Sequence, residues 1–417
     1  MKRIMLLFLL LFLTGCFPAR EETVLPIKNN STTSTGAASL SLPKPTAASK
    51  ETVIGTNPAS TSPAGTVPET KPSLKPDSQF TLVISGDVMS HDHNWKAAQQ
   101  ADGSFDYMPL FQNIRHLLDS GDLTLVNHET PVSGEEYGYS GSPLFNAPFN
   151  LSETLKKVGV DLAITANNHV LDNGMDGMRS FLDNLEEAGL LHTGAARTPE
   201  EQERPYLLDI NGIKTGFATS TSLVTMKVPE KYAVPINNED VMRQQIQDLR
   251  KAGAELIVYH IHWGKEYTEY PSRVQMDLYE ILKSEGVDIV IGSHPHRLQP
   301  MEIRPIEYEG KTKDQAVIWS TANMTWGSGW DVHDYVNTGA IFRIDVARVD
   351  DEILIQNMDY DLIYNLNTAT IDGVKHIELV PESDMELYKE SHPDEYASMR
   401  REFKWAHETL STPVVIP

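Results

Sequence analysis

Five short apolar runs in this 417-residue chain each end in a loop dense with Asp, Glu, Asn and His. Phe80–Ile84 leads into Gly86-Asp87-Val88-Met89-Ser90-His91, and Leu123–Val126 into Asn127-His128-Glu129. Leu162–Thr165 leads into Asn167-Asn168-His169, with Asp172 and Gly174 just beyond. Leu256–His260 runs into His262-Trp263-Gly264, and Asp288–Ile291 into Gly292-Ser293-His294-Pro295-His296. A sixth run, Val317–Ser320, precedes Thr321-Ala322-Asn323-Met324. Between the runs lie amphipathic stretches of helical length, at 150–157, 175–188, 238–252 and 271–284. Asn150 with Glu153 predicts a capping box, Pro271 a first helical turn, and Gly286 a helix C-cap. Strands alternating with helices predict an α/β fold. Ligands in such folds sit at the carboxyl ends of the strands, so the five polar strand ends are expected to converge on one site.

Carboxylate, amide oxygen and imidazole form a mixed O/N donor set without thiolate, which suits Zn, Mn or Fe. The single cysteine, Cys16, excludes a disulfide scaffold and a Cys-based zinc cluster. Six or more ligands are too many for one tetrahedral ion; they fit two ions about 3.5–4 Å apart, bridged by a carboxylate. Plainer readings exist for each residue. Asp87 could cap a turn, Asn167-Asn168 could be a turn pair, and His294-Pro295-His296 a hydrogen-bonded loop. His128 reads as packing. Tyr267, Trp263 and Trp319 read as core or pocket wall. His260 and His262 are taken to lie on alternate faces of one strand, so that only one reaches the site.

In this order and at these strand ends, the motifs resemble the CapA family of poly-γ-glutamate capsule synthesis proteins, over about residues 79–344. That resemblance implies a calcineurin-like metallophosphoesterase fold: a two-layered β-sandwich of mixed sheets flanked by helices. It implies a divalent metal site, expected to hold two ions of Mn, Zn or Fe. Asp87 resembles the bridging ligand and Glu129 a second acidic ligand. Asn168 resembles the amide ligand, and His262, His294 and His296 the imidazole ligands. His91 is the imidazole nearest the first motif and a candidate metal ligand. His169 resembles the group that protonates a leaving group, and Asp172 joins it as catalytic. Asn127, Asn167 and Asn323 are expected to support the ligands from behind. The chain departs from ordinary phosphoesterases, which begin Asp-x-His and carry Asp in the second motif. The family also implies poly-γ-glutamate and other capsule proteins as partners.

Outside the motifs, Lys2 and Arg3 precede an apolar run at 4–13, too short to span a bilayer but right for a secretion signal. It ends in Leu13-Thr14-Gly15-Cys16, which resembles a lipobox, so residues 1–15 are expected to be removed and Cys16 acylated. Of residues 31–80, 34 are Ser, Thr, Pro, Ala or Gly. Residues 16–78 are therefore expected to be a disordered tether, because they cannot bury enough apolar surface to offset chain entropy. A domain at 79–349 and a C-terminal extension at 350–417, packed on the domain, would follow. The expected location is the outer side of the cytoplasmic membrane, with lipid as a partner. A net charge of −23 repels phosphate backbones, so nucleic acid is not an expected partner. A polyanionic polymer would need a metal or a local basic patch, for which Arg273, Arg297 and Arg304 are candidates. No phosphate-binding Gly-x-x-x-x-Gly-Lys-[Ser/Thr] or Gly-x-Ser-x-Gly elbow occurs.

Cys16→Ala is expected to release the protein from membranes or leave it uncleaved, read by fractionation and intact mass. Unchanged mass and fractionation would rule out the acylated anchor.

Overall fold

A computed structural model describes residues 77–327, 334–371 and 374–415. The signal, Cys16 and nearly all of the tether lie outside the described residues. In chain order the first strands are β1 (Ser78–Val88), β2 (Leu123–Asn127), β3 (Leu162–Ile164), β4 (Leu191–Thr193), β5 (Tyr206–Ile210) and β6 (Ile213–Thr221). There follow β7 (Leu256–His262), β8 (Ile289–Ser293), β9 (Met301–Tyr308), β10 (Lys311–Ile318) and β11 (Asn323–Thr325). The last are β12 (Thr338–Val349), β13 (Glu352–Ile371) and β14 (Val374–Pro381). The early α-helices are α1 (Asp92–Ala98), α2 (Met108–Phe111), α3 (Arg115–Leu118), α4 (Asn150–Lys157) and α5 (Gly174–Glu187). The later ones are α6 (Pro199–Glu203), α7 (Glu239–Lys251), α8 (Arg273–Ser284) and α9 (Pro393–Leu410).

Two mixed sheets form. One has the order β14-β13-β12-β1-β2-β3-β4 with β11 also on β1; the other is β5-β6-β7-β8-β10-β9. The central strands of each run parallel: β1 to β4 in the first, and β6, β7, β8 and β10 in the second. The two-residue period of a strand then sorts side chains into layers. Phe80, Leu82 and Ile84 face the other sheet and meet Val258, Ile289 and Ile318 in a shared core. Val83, Val126 and Ala163 point outward under Leu151, Leu155, Phe181 and Leu185 of α4 and α5. On the opposite side Ile257, Tyr259 and Val290 pack beneath Ile246, Leu249 and Leu282 of α7 and α8. The result is the expected sandwich of two sheets with helices outside.

The same period corrects one expectation. Residues two apart share a face, so His260 follows Leu256 and Val258 toward the inter-sheet layer, on the same side as His262. Depth separates them: His262 ends the strand, whereas His260 lies further in, with Nδ1 unpartnered among the described residues and burial drawing its pKa down to about 4. Two helix starts also differ. Phe149 is the N-cap of α4, and Asn150 instead donates to Glu153 Oε2 at 2.9 Å. At α8 the N-cap is Ser272, in a capping box with Gln275, and Pro271 precedes it. Gly286 sits just past the end of α8 at φ +61°, as expected of a terminating glycine.

Position 350 falls in the turn between β12 and β13, which pair over twelve registers from Thr338 to Val349. Residues beyond 350 thus supply two strands of the first sheet before α9 covers it. Helix α9 packs by Met399, Phe403, Ala406 and Leu410 on the inter-sheet core. Glu402 of α9 is 3% exposed and accepts a hydrogen bond from Thr338 Oγ1 at 2.9 Å. Burial raises its carboxyl from 4.5 to about 7. A raised carboxyl stabilises the fold fully below about pH 4.5, and that contribution disappears as pH rises through 7. Glu402→Gln is expected to flatten the decline in unfolding free energy between pH 4.5 and 7 by a few kcal/mol. Parallel denaturant titrations of both proteins read the difference, and coincident pH profiles would refute it.

Candidate metal centre

Asp87 is next to last in β1, with Asn127 of β2 and Asn323 of β11 in register on either side. This seat depends on Gly86. A Cβ there would lie 2.1 Å from the Ala322 carbonyl oxygen, the same oxygen that accepts the Asp87 N–H at 2.8 Å. Asn127 donates through Nδ2 to Asp87 Oδ1 at 2.8 Å and to Glu129 Oε2 at 3.0 Å. Asn167 in turn donates to Asn127 Oδ1 at 3.1 Å and to the His128 carbonyl at 3.1 Å. One amide therefore ties two fully buried carboxylates together, and a second amide orients the first.

Imidazoles arrive from the second sheet. His262 contacts Ser293 Oγ through Nδ1 at 2.8 Å, while its Nε2 lies 3.0 Å from Asn168 Oδ1 and 3.7 Å from Glu129 Oε1. His294 and His296 adopt φ of +92° and +54°, left-handed backbone that ordinary side chains resist. That turn places both rings at the cluster. His296 Nδ1 lies 2.9 Å from Asn323 Oδ1 and 3.2 Å from Asp87 Oδ2, leaving Nε2 3.9 Å from Glu129 Oε1. The His294 N–H donates to Asp87 Oδ2 at 3.3 Å. Asp87 thus touches both histidines of the last motif.

Among the described residues, three groups of side chains bring ligand atoms within 4.8 Å of one another: Glu129-His262-His294, Asp87-Glu129-His296 and Glu266-His294-His296. Glu129, not Asp87, is the carboxylate shared by two of them. Glu266 carried no sequence expectation. It lies two residues past Gly264, and surveying every carboxylate in the strand-end loops would have raised it. His91 enters none of the three groups; its ring lies edge-on to Phe145 and Trp326, at 5.1 and 4.7 Å between centroids.

The electrostatics fit a cation. Burial, then the charge of Asp87, pushes the Glu129 carboxyl well up. Burial also draws His262 well down and His294 down to about 3, with neighbouring imidazoles adding to the effect. Burial opposes protonation of His296 as well, yet the hydrogen bond and charge of Asp87 outweigh it and raise the ring. Among the described residues, Glu129 Oε1 and His294 Nδ1 are buried with no hydrogen-bond partner, which is costly unless something else pairs with them. A divalent ion would neutralise the carboxylates and use those lone pairs. Asp87, Glu129, Asn168, His262, His294 and His296 would hold it, with Glu266 at the edge.

His169 stands beside the cluster. Its Nδ1 lies 2.7 Å from Asp172 Oδ2, which also accepts the Phe145 N–H at 2.7 Å. His128 turns away to Ser152 Oγ at 3.0 Å and packs on Phe181. Trp263 and Trp319 stack in the outer core of the second sheet. The expected basic patch does not form as free charge. Arg297 pairs with Glu269, Arg304 with Glu302 and Arg273 with Asp277, at 2.9, 3.2 and 2.8 Å. A separate cleft of about 1020 Å³ lies between β4 and α7, and none of the metal-group residues lines it.

Residues 81–327, more than half of the chain, match the family described as bacterial capsule synthesis protein PGA_cap. The chain belongs to this family. It is 26% identical to the capsule biosynthesis protein CapA of Bacillus anthracis, covering 60% of this chain and 61% of that one. Against the PGA biosynthesis protein CapA of Bacillus subtilis (strain 168) the identity is also 26%, covering 62% and 67%. This chain therefore matches about three fifths to two thirds of those relatives' length. Among solved structures it is similar to the calcineurin-like phosphoesterase YfkN of Bacillus subtilis, with 15% identity and a TM-score of 0.42, covering 78% of this chain and 99% of that one. It is also similar to a 5′-nucleotidase precursor of Thermus thermophilus, with 12% identity and a TM-score of 0.41, covering 79% and 59%. Neither structural likeness assigns a role to a residue here.

Asn127→Ala removes the amide that donates to both Asp87 and Glu129. In chelator the variant is expected to lose about 1–3 kcal/mol of unfolding free energy, and less in saturating Mn. Denaturant titrations with and without metal check this; equal losses in both would mean that Asn127 serves packing alone.

Proposed function

We propose that this protein is a surface-anchored CapA-like protein of poly-γ-glutamate capsule synthesis or export, whose centre performs metal-dependent phosphoester hydrolysis or a related transfer. The observation that carries the reading is the buried Asp87–Glu129 pair within reach of His262, His294 and His296, a donor set for two divalent ions. Anchoring through Cys16 at the outer face of the cytoplasmic membrane completes the proposal, supported by the signal-like N-terminus and the single cysteine at its end. Other proteins of the capsule machinery are its proposed partners.

Divalent ions bound there would supply Lewis-acid polarisation of a phosphoryl or acyl oxygen and an acidified water. The chain supplies the rest. Asp172 accepts the Nδ1 proton of His169 and fixes the ring, so that Nε2 can deliver a proton to a departing oxygen. Ser293 and Asn323 act similarly on His262 and His296, orienting each ring through Nδ1 so that Nε2 carries the lone pair toward the cluster. Burial of Asp87, Glu129, Asn168, His262, His294 and His296 excludes bulk water and strengthens these interactions.

The test is metal analysis of the full chain together with a phosphodiester assay in added Mn or Zn. Asp87→Ala is expected to lose metal and turnover together. His169→Gln is expected to keep the metal while turnover falls about 10²–10⁴-fold. Full metal content without turnover on any phosphoester would replace this reading with that of a non-catalytic polymer-binding factor.

A further inference from the structure

His91 is 7% exposed, and its Nε2 is buried without a hydrogen-bond partner among the described residues. Its surroundings are those of the centre. Trp326 faces both His91 and His296, at 4.7 and 5.4 Å between centroids. Phe145 faces both His91 and His169, at 5.1 and 4.6 Å. The ring therefore occupies one aromatic enclosure with a metal-group imidazole and with the proton-delivering imidazole, yet joins none of the ligand groups.

The backbone of His91 has its own partners at the start of α1: the His91 N–H donates to Asn94 Oδ1 at 2.9 Å, and the Asn94 N–H donates to the His91 carbonyl at 2.9 Å. A neutral imidazole carries its proton on one of its two nitrogens, and a proton on Nε2 makes that atom a donor. A protonated Nε2 cannot ligate a metal, but it can donate. A buried donor with no acceptor costs free energy unless a ligand completes it.

We propose that His91 is a substrate-contacting residue, whose Nε2–H donates a hydrogen bond to an anionic oxygen of the ligand held at the metal centre. The assignment rests on the metal-centre reading above. The oxygen belongs to a phosphoryl or a carboxylate group, since both present a charged acceptor to a single N–H. Phe145 and Trp326 wall the donor in, so water competes poorly for it.

The experiment uses the full metal-loaded chain in detergent, with His91→Ala and His91→Gln. Metal content is measured first, and then the affinities for inorganic phosphate and for acetate by calorimetry. Metal per chain is expected to be unchanged in both variants. In His91→Ala the dissociation constant of at least one anion is expected to rise about tenfold or more, and His91→Gln, which keeps an N–H donor, is expected to recover most of it. The anion more strongly affected identifies the oxygen as phosphoryl or carboxylate. Loss of a metal equivalent in either variant would make His91 a ligand and overturn the proposal. Unchanged affinity for both anions at full metal content would overturn it as well. A wild-type chain that takes up no metal would instead defeat the metal-centre reading itself, and this assignment with it.

Discussion

Asp87 and Glu129 lie side by side with no exposure to water, held by the two hydrogens of one amide, Asn127. Two buried carboxylates repel each other, and burial with the Asp87 charge pushes the Glu129 carboxyl well up, so the arrangement persists only where the surroundings compensate. Much of the local structure can be traced to that need. Gly86 lets β1 run against the Ala322 carbonyl so that Asp87 reaches its seat. Asn167 holds Asn127 in the orientation that presents its hydrogens. His294 and His296 accept left-handed backbone to bring an N–H and a ring to Asp87. Strain of this kind, of order 1–3 kcal/mol per residue, survives only where the fold over-determines it.

The two halves of the centre come from different sheets. Strands β1 and β2, with the loops beyond β2 and β3, bring the acids and amides: Asp87, Asn127, Glu129 and Asn168. Strand β7 and the loops beyond β7 and β8 bring His262, Glu266, His294 and His296. The halves meet because the sheets share one core, from Leu82 and Ile84 on one side to Val258 and Ile289 on the other. Formation of the centre is therefore coupled to sheet packing, and an ion shared between the halves would stabilise the packed state further.

Helix α9 and strands β13 and β14 belong to the same logic. They extend and cover the first sheet, so the C-terminal residues beyond 350 finish the layer from which β1 presents Asp87. Asp394, Arg400, Arg401, Lys404 and Glu408 put charge on the exposed side of α9. Its buried side, with Met399, Phe403 and Glu402, is what attaches it, and a buried carboxyl such as Glu402 leaves no trace in composition.

The alternation of apolar runs with polar strand ends determined the α/β class and located the loops of the candidate centre, because strand period and the location of ligand sites at strand ends are local rules. The loops that carry Asp87, Glu129, Asn168, His262, His294 and His296 were legible that way, and the family resemblance singled those residues out within them. Pairing across sheets was not. That Glu129 is the shared carboxylate, that Glu266 reaches His294 and His296, that His91 stands apart from the ligand groups, and that three arginines are each matched by an acid all depend on distances between segments far apart in the chain. Burial decided the rest: a carboxyl or imidazole acquires its charge state from the water removed around it, and only the packed tertiary structure removes that water.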